Sequence, residues 1–133
     1  MQVKIVVRYA DGRIEKGHTA DLSPDKPQFH LLGERPAETG ALAEVWMKDL
    51  KAVFFVRDFA GNPQHTERKE FAPDERTLGR KVRVEFLDGE VLLGYTMGYK
   101  RERPTFFLVP GDVTSNNERV LVVSQAVKAV TFL

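Results

Sequence analysis

Between residues 81 and 86 apolar and charged side chains alternate, with Val82, Val84 and Phe86 set against Lys81, Arg83 and Glu85. A period of two places one set on a buried face and the other in water, as in a half-buried β-strand. Asp88-Gly89 follows, a strong hairpin signal because a type I′ turn requires the positive φ that glycine tolerates. The return strand carries Val91 and then Gly94; a glycine inside a strand predicts a bulge or a sharp bend. Asp11-Gly12, Ile14 and Gly17 spell the same series near the start of the chain.

This recurrence is a duplication. Shifted by 77 positions against itself, the sequence pairs fourteen identical residues over positions 4 to 56 without a gap, among them Lys4/Lys81, Asp11/Asp88, Gly17/Gly94, Pro27/Pro104, Phe29/Phe106, Lys51/Lys128 and Phe55/Phe132. Roughly three identities would arise from average composition. After the hairpin each copy continues with a polar turn and an apolar run, Phe29-His30-Leu31-Leu32 or Phe106-Phe107-Leu108-Val109. A polar loop (33–40 or 111–117) and two closing strands follow, at 44–47 with 51–56 and at 119–124 with 127–133. Ala41 to Met47 also suits a short helix, but its counterpart Arg119-Val120-Leu121-Val122-Val123 is β-branched and favours strand.

Five short strands per copy predict an all-β protein of two tandem five-stranded small barrels. Their DG hairpins and bent sheets resemble SH3-like or Sm-like barrels. The expected organisation is a first barrel at 1–56, a charged linker at 57–79 and a second barrel at 80–133. Phe59 and Phe71 are expected to pin the linker to the barrels. A unit of this size without disulfide or metal is marginal alone, so the two copies are expected to pack together.

Composition narrows the chemistry. The 133 residues contain no cysteine, which removes disulfides, thiolate nucleophiles and thiolate zinc sites. Twenty Lys and Arg against nineteen Asp and Glu give a net charge of +1, so no global field draws the chain to nucleic acid or anionic lipid. No segment reaches membrane-spanning length and no secretory leader is apparent, so a cytoplasmic protein is expected. His18, His30 and His65 do not stand at metal-ligand spacing, and no metal or cofactor is expected. Asp11 and Asp88 are explained as turn residues. Ser23, Ser115 and Ser124 lack a nucleophile elbow. The chain is therefore expected not to be an enzyme.

The strings Lys26-Pro27-Gln28-Phe29-His30-Leu31, Leu50-Lys51-Ala52-Val53-Phe54-Phe55-Val56 with Asp58-Phe59-Ala60-Gly61-Asn62-Pro63, and Ser115-Asn116-Asn117 resemble an uncharacterised bacterial family, a domain of unknown function, over essentially the whole chain. A more distant resemblance is to PilZ domains. Arg76-Thr77-Leu78-Gly79-Arg80 stands directly before a strand, where those barrels carry the R-x-x-x-R motif that binds cyclic di-GMP. The resemblance implies that two guanidiniums could clamp phosphates. The companion D/N-x-S-x-x-G motif is missing near Thr96 to Arg101. Asp21-Leu22-Ser23 has its spacing in the first copy, but Lys26 stands where glycine belongs.

A feature shared by both copies belongs to the fold, and one confined to a single copy is where function is expected. That leaves Arg76 and Arg80, the basic turn Lys100, Arg101 and Arg103, and Asn116 and Asn117 as candidate ligand-binding residues. Two readings stand. The first is a non-catalytic interaction or adaptor module for a protein partner, with the groove between the copies as its first surface and room for a homo-oligomer. The second is a cyclic dinucleotide receptor using Arg76 and Arg80. Nucleic acid is disfavoured as a partner, since Glu102 interrupts the basic turn.

Overall fold

The computed structural model describes residues 3–33, 42–57, 79–96, 99–100, 102–110 and 117–133; the side chains of residues 42, 117 and 118 lie outside the description. The first repeat contributes β1 (Val3–Tyr9), β2 (Ile14–Thr19), β3 (Gln28–Gly33), β4 (Leu42–Trp46) and β5 (Leu50–Val56). The second contributes β6 (Arg80–Phe86), β7 (Val91–Thr96), β8 (Thr105–Pro110), β9 (Asn117–Val123) and β10 (Val127–Phe132). A single 3₁₀ turn, Met47–Asp49 or Ser124–Ala126, separates the last two strands of each repeat. Residues 42–46 are strand rather than helix, as the β-branched counterpart in the other repeat implies.

The ten strands form one antiparallel sheet in the order β10-β6-β7-β8-β9-β5-β1-β2-β3-β4. This corrects the expectation of two tandem barrels. Neither half closes on itself, because the last strand of the first repeat spends its outer edge on the fourth strand of the second. Ala52 pairs with Val122, Val53 with Leu121, Phe54 with Val120 and Phe55 with Arg119.

β5 and β9 are thus central strands covered on both faces, and their side chains alternate between two cores. Val53, Phe55, Leu121 and Val123 join Ile5, Val7, Phe29, Leu31 and Val45. Ala52, Phe54, Val56, Val120 and Val122 join Val82, Val84, Phe86, Phe106 and Leu108 on the opposite face. All seven residues of β5 are buried, whereas its counterpart β10, at the sheet's end, is mostly exposed.

The DG turns fall where the sequence places them, with a different geometry. Gly12 and Gly89 have φ of 100° and 93°, while Asp11 and Asp88 do not have positive φ. A type I′ turn needs it at both central residues. Instead Gly12 donates its N–H to Tyr9 O (3.0 Å) and Tyr9 donates to Arg13 O (2.9 Å), a type I turn closed by a glycine bulge. Phe86, Gly89 and Glu90 repeat the pattern.

Gly17 and Gly94 mark close approaches rather than bulges. A Cβ on either would collide with a carbonyl oxygen of the next strand, Leu32 O or Val109 O. Bulges lie elsewhere, one of them where β9 passes residue 118 between its pairings with Phe55 and Val56, and two more are related by the repeat. In β5 the register on β1 jumps from Ala52 to Leu50, and in β10 the register on β6 jumps from Ala129 to Val127. The residues passed over are Lys51 and Lys128, one bulged lysine in each repeat.

Candidate functional site

The seam between the repeats carries surface concavities lined from both sides among the described residues. One wall comes from the first repeat. Ser23 O accepts from Lys26 N–H (3.1 Å), folding Pro24 to Pro27 into a turn, and Pro27 O accepts from Met47 N–H (2.8 Å), tying that turn to the end of β4. The second repeat repeats the tie, with Ser124 N–H donating to Pro104 O at 2.9 Å. Across the seam Thr105 Oγ1 donates to Pro24 O at 3.5 Å.

Between the walls lies a groove of about 380 Å³ lined by Pro24, Pro27, Trp46, Met47 and Lys48 on one side and Pro104, Thr105, Val123 and Gln125 on the other. A second recess of about 570 Å³, with Arg103, Phe106 and Phe107 in its lining, shares Pro24, Asp25, Pro104 and Thr105 with it. Trp46, the only tryptophan of the chain, is 40% exposed here, whereas Val123 at the equivalent position of the second repeat is 2% exposed. Lys48 Nζ stands 5.8 Å from the indole centroid. Three prolines, an exposed indole and few charges make a rigid, mainly apolar wall.

A smaller concavity of about 150 Å³ lies over Lys51 and Asp88. Its floor is an ion cluster spanning the two repeats. Lys51 Nζ is 2.7 Å from Asp88 Oδ2, contacts Glu90 Oε1 and lies 4.8 Å from the Phe86 ring centroid. Arg8 adds a 3.3 Å pair with Glu90 and covers the Phe54 ring. The Lys51 ammonium donates to Asp88 and holds its carboxyl below the usual carboxylate range. Every charge here has a partner from the other repeat, and the cluster locks the seam.

A third polar group belongs to the first repeat alone. Asp21 accepts the His30 backbone N–H at 2.9 Å and the Thr19 hydroxyl at 3.1 Å, and its second oxygen lies 2.7 Å from His30 Nδ1. These bonds, the His30 side chain foremost, lower the Asp21 carboxyl to about 2. Asp21 therefore braces β3.

Among the described residues, those singled out from the sequence do not gather in one place. Arg76, Arg101 and Asn116 lie outside the described residues. Arg80 opens β6 with its guanidinium 3.9 Å over the Phe132 ring, six strands from β2 in sheet order. Lys100 and Arg103 belong to one turn, Lys100 O accepting from Arg103 N–H at 3.1 Å. Of their aromatic neighbours, Tyr99 packs edge-on against Phe106, whose side chain is in the second core, and Phe106 and Phe107 line the recess that Arg103 also borders. Asn117 starts β9 opposite Val56. Phe59, Phe71, His65 and Ser115 also lie outside the described residues. No three His, Asp or Glu cluster as metal ligands among the described residues.

Sequence reasoning overlooked Trp46 and the Lys51–Asp88 cluster. Trp46 was visible as a bulky aromatic opposite valine in the repeat register, a difference confined to one copy. The lysine and aspartate were visible as identities shared by both copies, with nothing local to join them.

These observations define a duplicated all-β domain with one continuous sheet and an apolar groove at its seam. The chain belongs to a family of unknown function, DUF6982, whose pattern it matches over residues 1–133. No curated protein and no solved structure matches it.

Proposed function

We propose that the chain is a non-catalytic interaction module that grips an extended segment of a partner protein in the groove between its repeats, with one large apolar side chain seated beside Trp46. The exposed indole carries this reading. Tryptophan is costly to leave in water, and aromatic anchors framed by rigid walls dominate peptide-binding energetics. The groove's size suits one or two side chains of a peptide. Both repeats supply its walls, so it exists only in the assembled sheet. Lys26 and Lys48 beside it, against Asp25, favour an acidic residue next to the anchor.

The test is selection from a random peptide library displayed on phage. Selected peptides are expected to share a large apolar residue, to shift the emission of the single tryptophan, and to lose affinity about tenfold or more with Trp46→Ala while tolerating Trp46→Phe. Peptides that bind Trp46→Ala unchanged would refute the groove. Calorimetry with cyclic di-GMP on wild type and Arg80→Ala tests the dinucleotide alternative. Heat lost on that substitution would favour it, although a phosphate would first have to draw Arg80 from the Phe132 ring.

A further inference from the structure

The duplication makes the internal joint a template. β10 is the second-repeat counterpart of β5, and β4 is the first-repeat counterpart of β9. The joint between β5 and β9 therefore uses one edge of each kind and leaves one of each kind over. These leftovers, β10 and β4, are the two ends of the sheet among the described residues. We infer that a second copy of the chain adds its β10 to the β4 edge, continuing the sheet in the register of the internal joint. Shifting that register by 77 positions sets Ala129 opposite Val45, Val130 opposite Glu44, Thr131 opposite Ala43 and Phe132 opposite Leu42.

Three observations support this occupant over any other. First, side chains that the internal joint covers are more exposed at the ends. Phe55 and Val56 are each 7% exposed, but their counterparts Phe132 and Leu133 are 37% and 65% exposed. Such edges invite strand addition.

Second, one ion pair of the cluster that locks the internal joint transposes intact, while Glu90, which Lys51 also contacts, becomes Arg13. Lys51–Asp88 becomes Lys128 of one copy with Asp11 of the other, and both residue types are unchanged. Lys128 is bulged from β10 as Lys51 is from β5. It is exposed, 3.6 Å from Glu85.

Third, the Arg8–Glu90 pair becomes Glu85 with Arg13. Both signs have reversed and attraction is kept. Within one copy Arg13 pairs with Asp11 and Glu85 with Lys128, so the contact brings two existing pairs together. At the same edge Leu42 replaces Arg119 opposite the phenylalanine, and Glu44 lies diagonal to Lys128.

Because two different edges meet, the contact is heterologous and leaves a free edge of each kind on every pair. Assembly therefore runs past the dimer or closes into a ring. The inference is independent of the peptide groove and is tested away from Trp46.

Since the chain has no cysteine, a crosslink can read the register directly. Ala43→Cys and Thr131→Cys chains, both substituted at exposed strand positions, are mixed under mild oxidation. The mixture is expected to form disulfide-linked pairs, because opposed strand residues lie within disulfide reach, while either chain alone stays unlinked. Absence of linkage in the mixture, or equal linkage in the single chains, overturns the proposal. Sedimentation of the uncrosslinked protein gives a second reading. Asp11→Lys should weaken association about tenfold and Lys128→Asp in the same chain should restore it, with unchanged circular dichroism showing that the variants fold. A wild type that stays monomeric throughout, or a double variant no stronger than the single, also overturns it.

Discussion

The ammonium of Lys51 lies 2.7 Å from the carboxylate of Asp88, the one on the last strand of the first repeat and the other in the DG turn of the second. Its own repeat has an equivalent turn at Asp11, yet the bulge in β5 aims Lys51 across the seam. The equivalent Lys128 is left in solvent.

That contrast sets the first prediction. Lys51→Ala should destabilise the chain by about 1–3 kcal/mol, since it strips the cation from Asp88, leaves Glu90 with Arg8 alone and opens a gap beside Phe86. Lys128→Ala should change stability by less than about 0.5 kcal/mol in dilute protein, as an exposed pair does. Urea unfolding of the two variants compares them; equal effects would mean that Lys51 is not held as described.

The glycines give a second contrast. Gly94→Ala should cost upwards of about 3 kcal/mol, because its methyl would occupy the place of Val109 O and force β7 from β8. Gly33→Ala meets nothing within 4 Å and should be close to neutral. Thermal melts of the pair would contradict the β7–β8 approach if Gly94→Ala melted within a degree or two of wild type.

Acid is expected to weaken the fold in a defined window. The carboxyls of Asp21, Asp88 and Asp11 are lowered, respectively by the His30 side chain, by the Lys51 ammonium and by the Arg13 backbone N–H. A depressed carboxyl favours the folded state when ionised. Its contribution is therefore complete above the ordinary carboxylate value, near pH 4, and fades as pH falls through the folded value. For Asp21 that value is about 2. Melting temperature should thus fall between roughly pH 4 and pH 2, and Asp21→Asn should flatten part of the decline. A profile identical in wild type and variant would exclude the His30 brace.

Sharing of β5 and β9 between the cores predicts one cooperative transition rather than two. A fragment of residues 1–56 would expose Ala52, Phe54 and Val56, and one of residues 80–133 would expose Leu121 and Val123. Neither should show a cooperative melt alone. Calorimetry of the full chain should give one peak whose van't Hoff and calorimetric enthalpies agree. Two resolved peaks would show that the halves fold apart.

Much of this architecture is written locally. Period-two alternation places β1 and β6, and glycine after aspartate places both turns. The turn type was not legible, since a single positive φ at glycine serves a type I turn with a bulge as well as it serves type I′. The joint was half legible. Leu50 to Val56 and Val120 to Val123 run nearly without polar interruption, as strands covered on both faces do, whereas Glu44 and Thr131 break their counterparts. With each copy read as a unit complete in itself, the difference had no meaning. The groove was the least legible part, because the exposure of Trp46 depends on β4 ending the sheet, and that depends on pairing of distant strands.

The wall common to the two cores also bears on how such a gene can change. Duplication ordinarily frees one copy to drift while the other keeps its task. Here Phe54 belongs by descent to the first copy and by packing to the core of the second. A substitution at that position is therefore judged by neighbours its ancestral unit never had. The two halves have become a single hereditary unit, and their divergence must be read strand by strand across the seam.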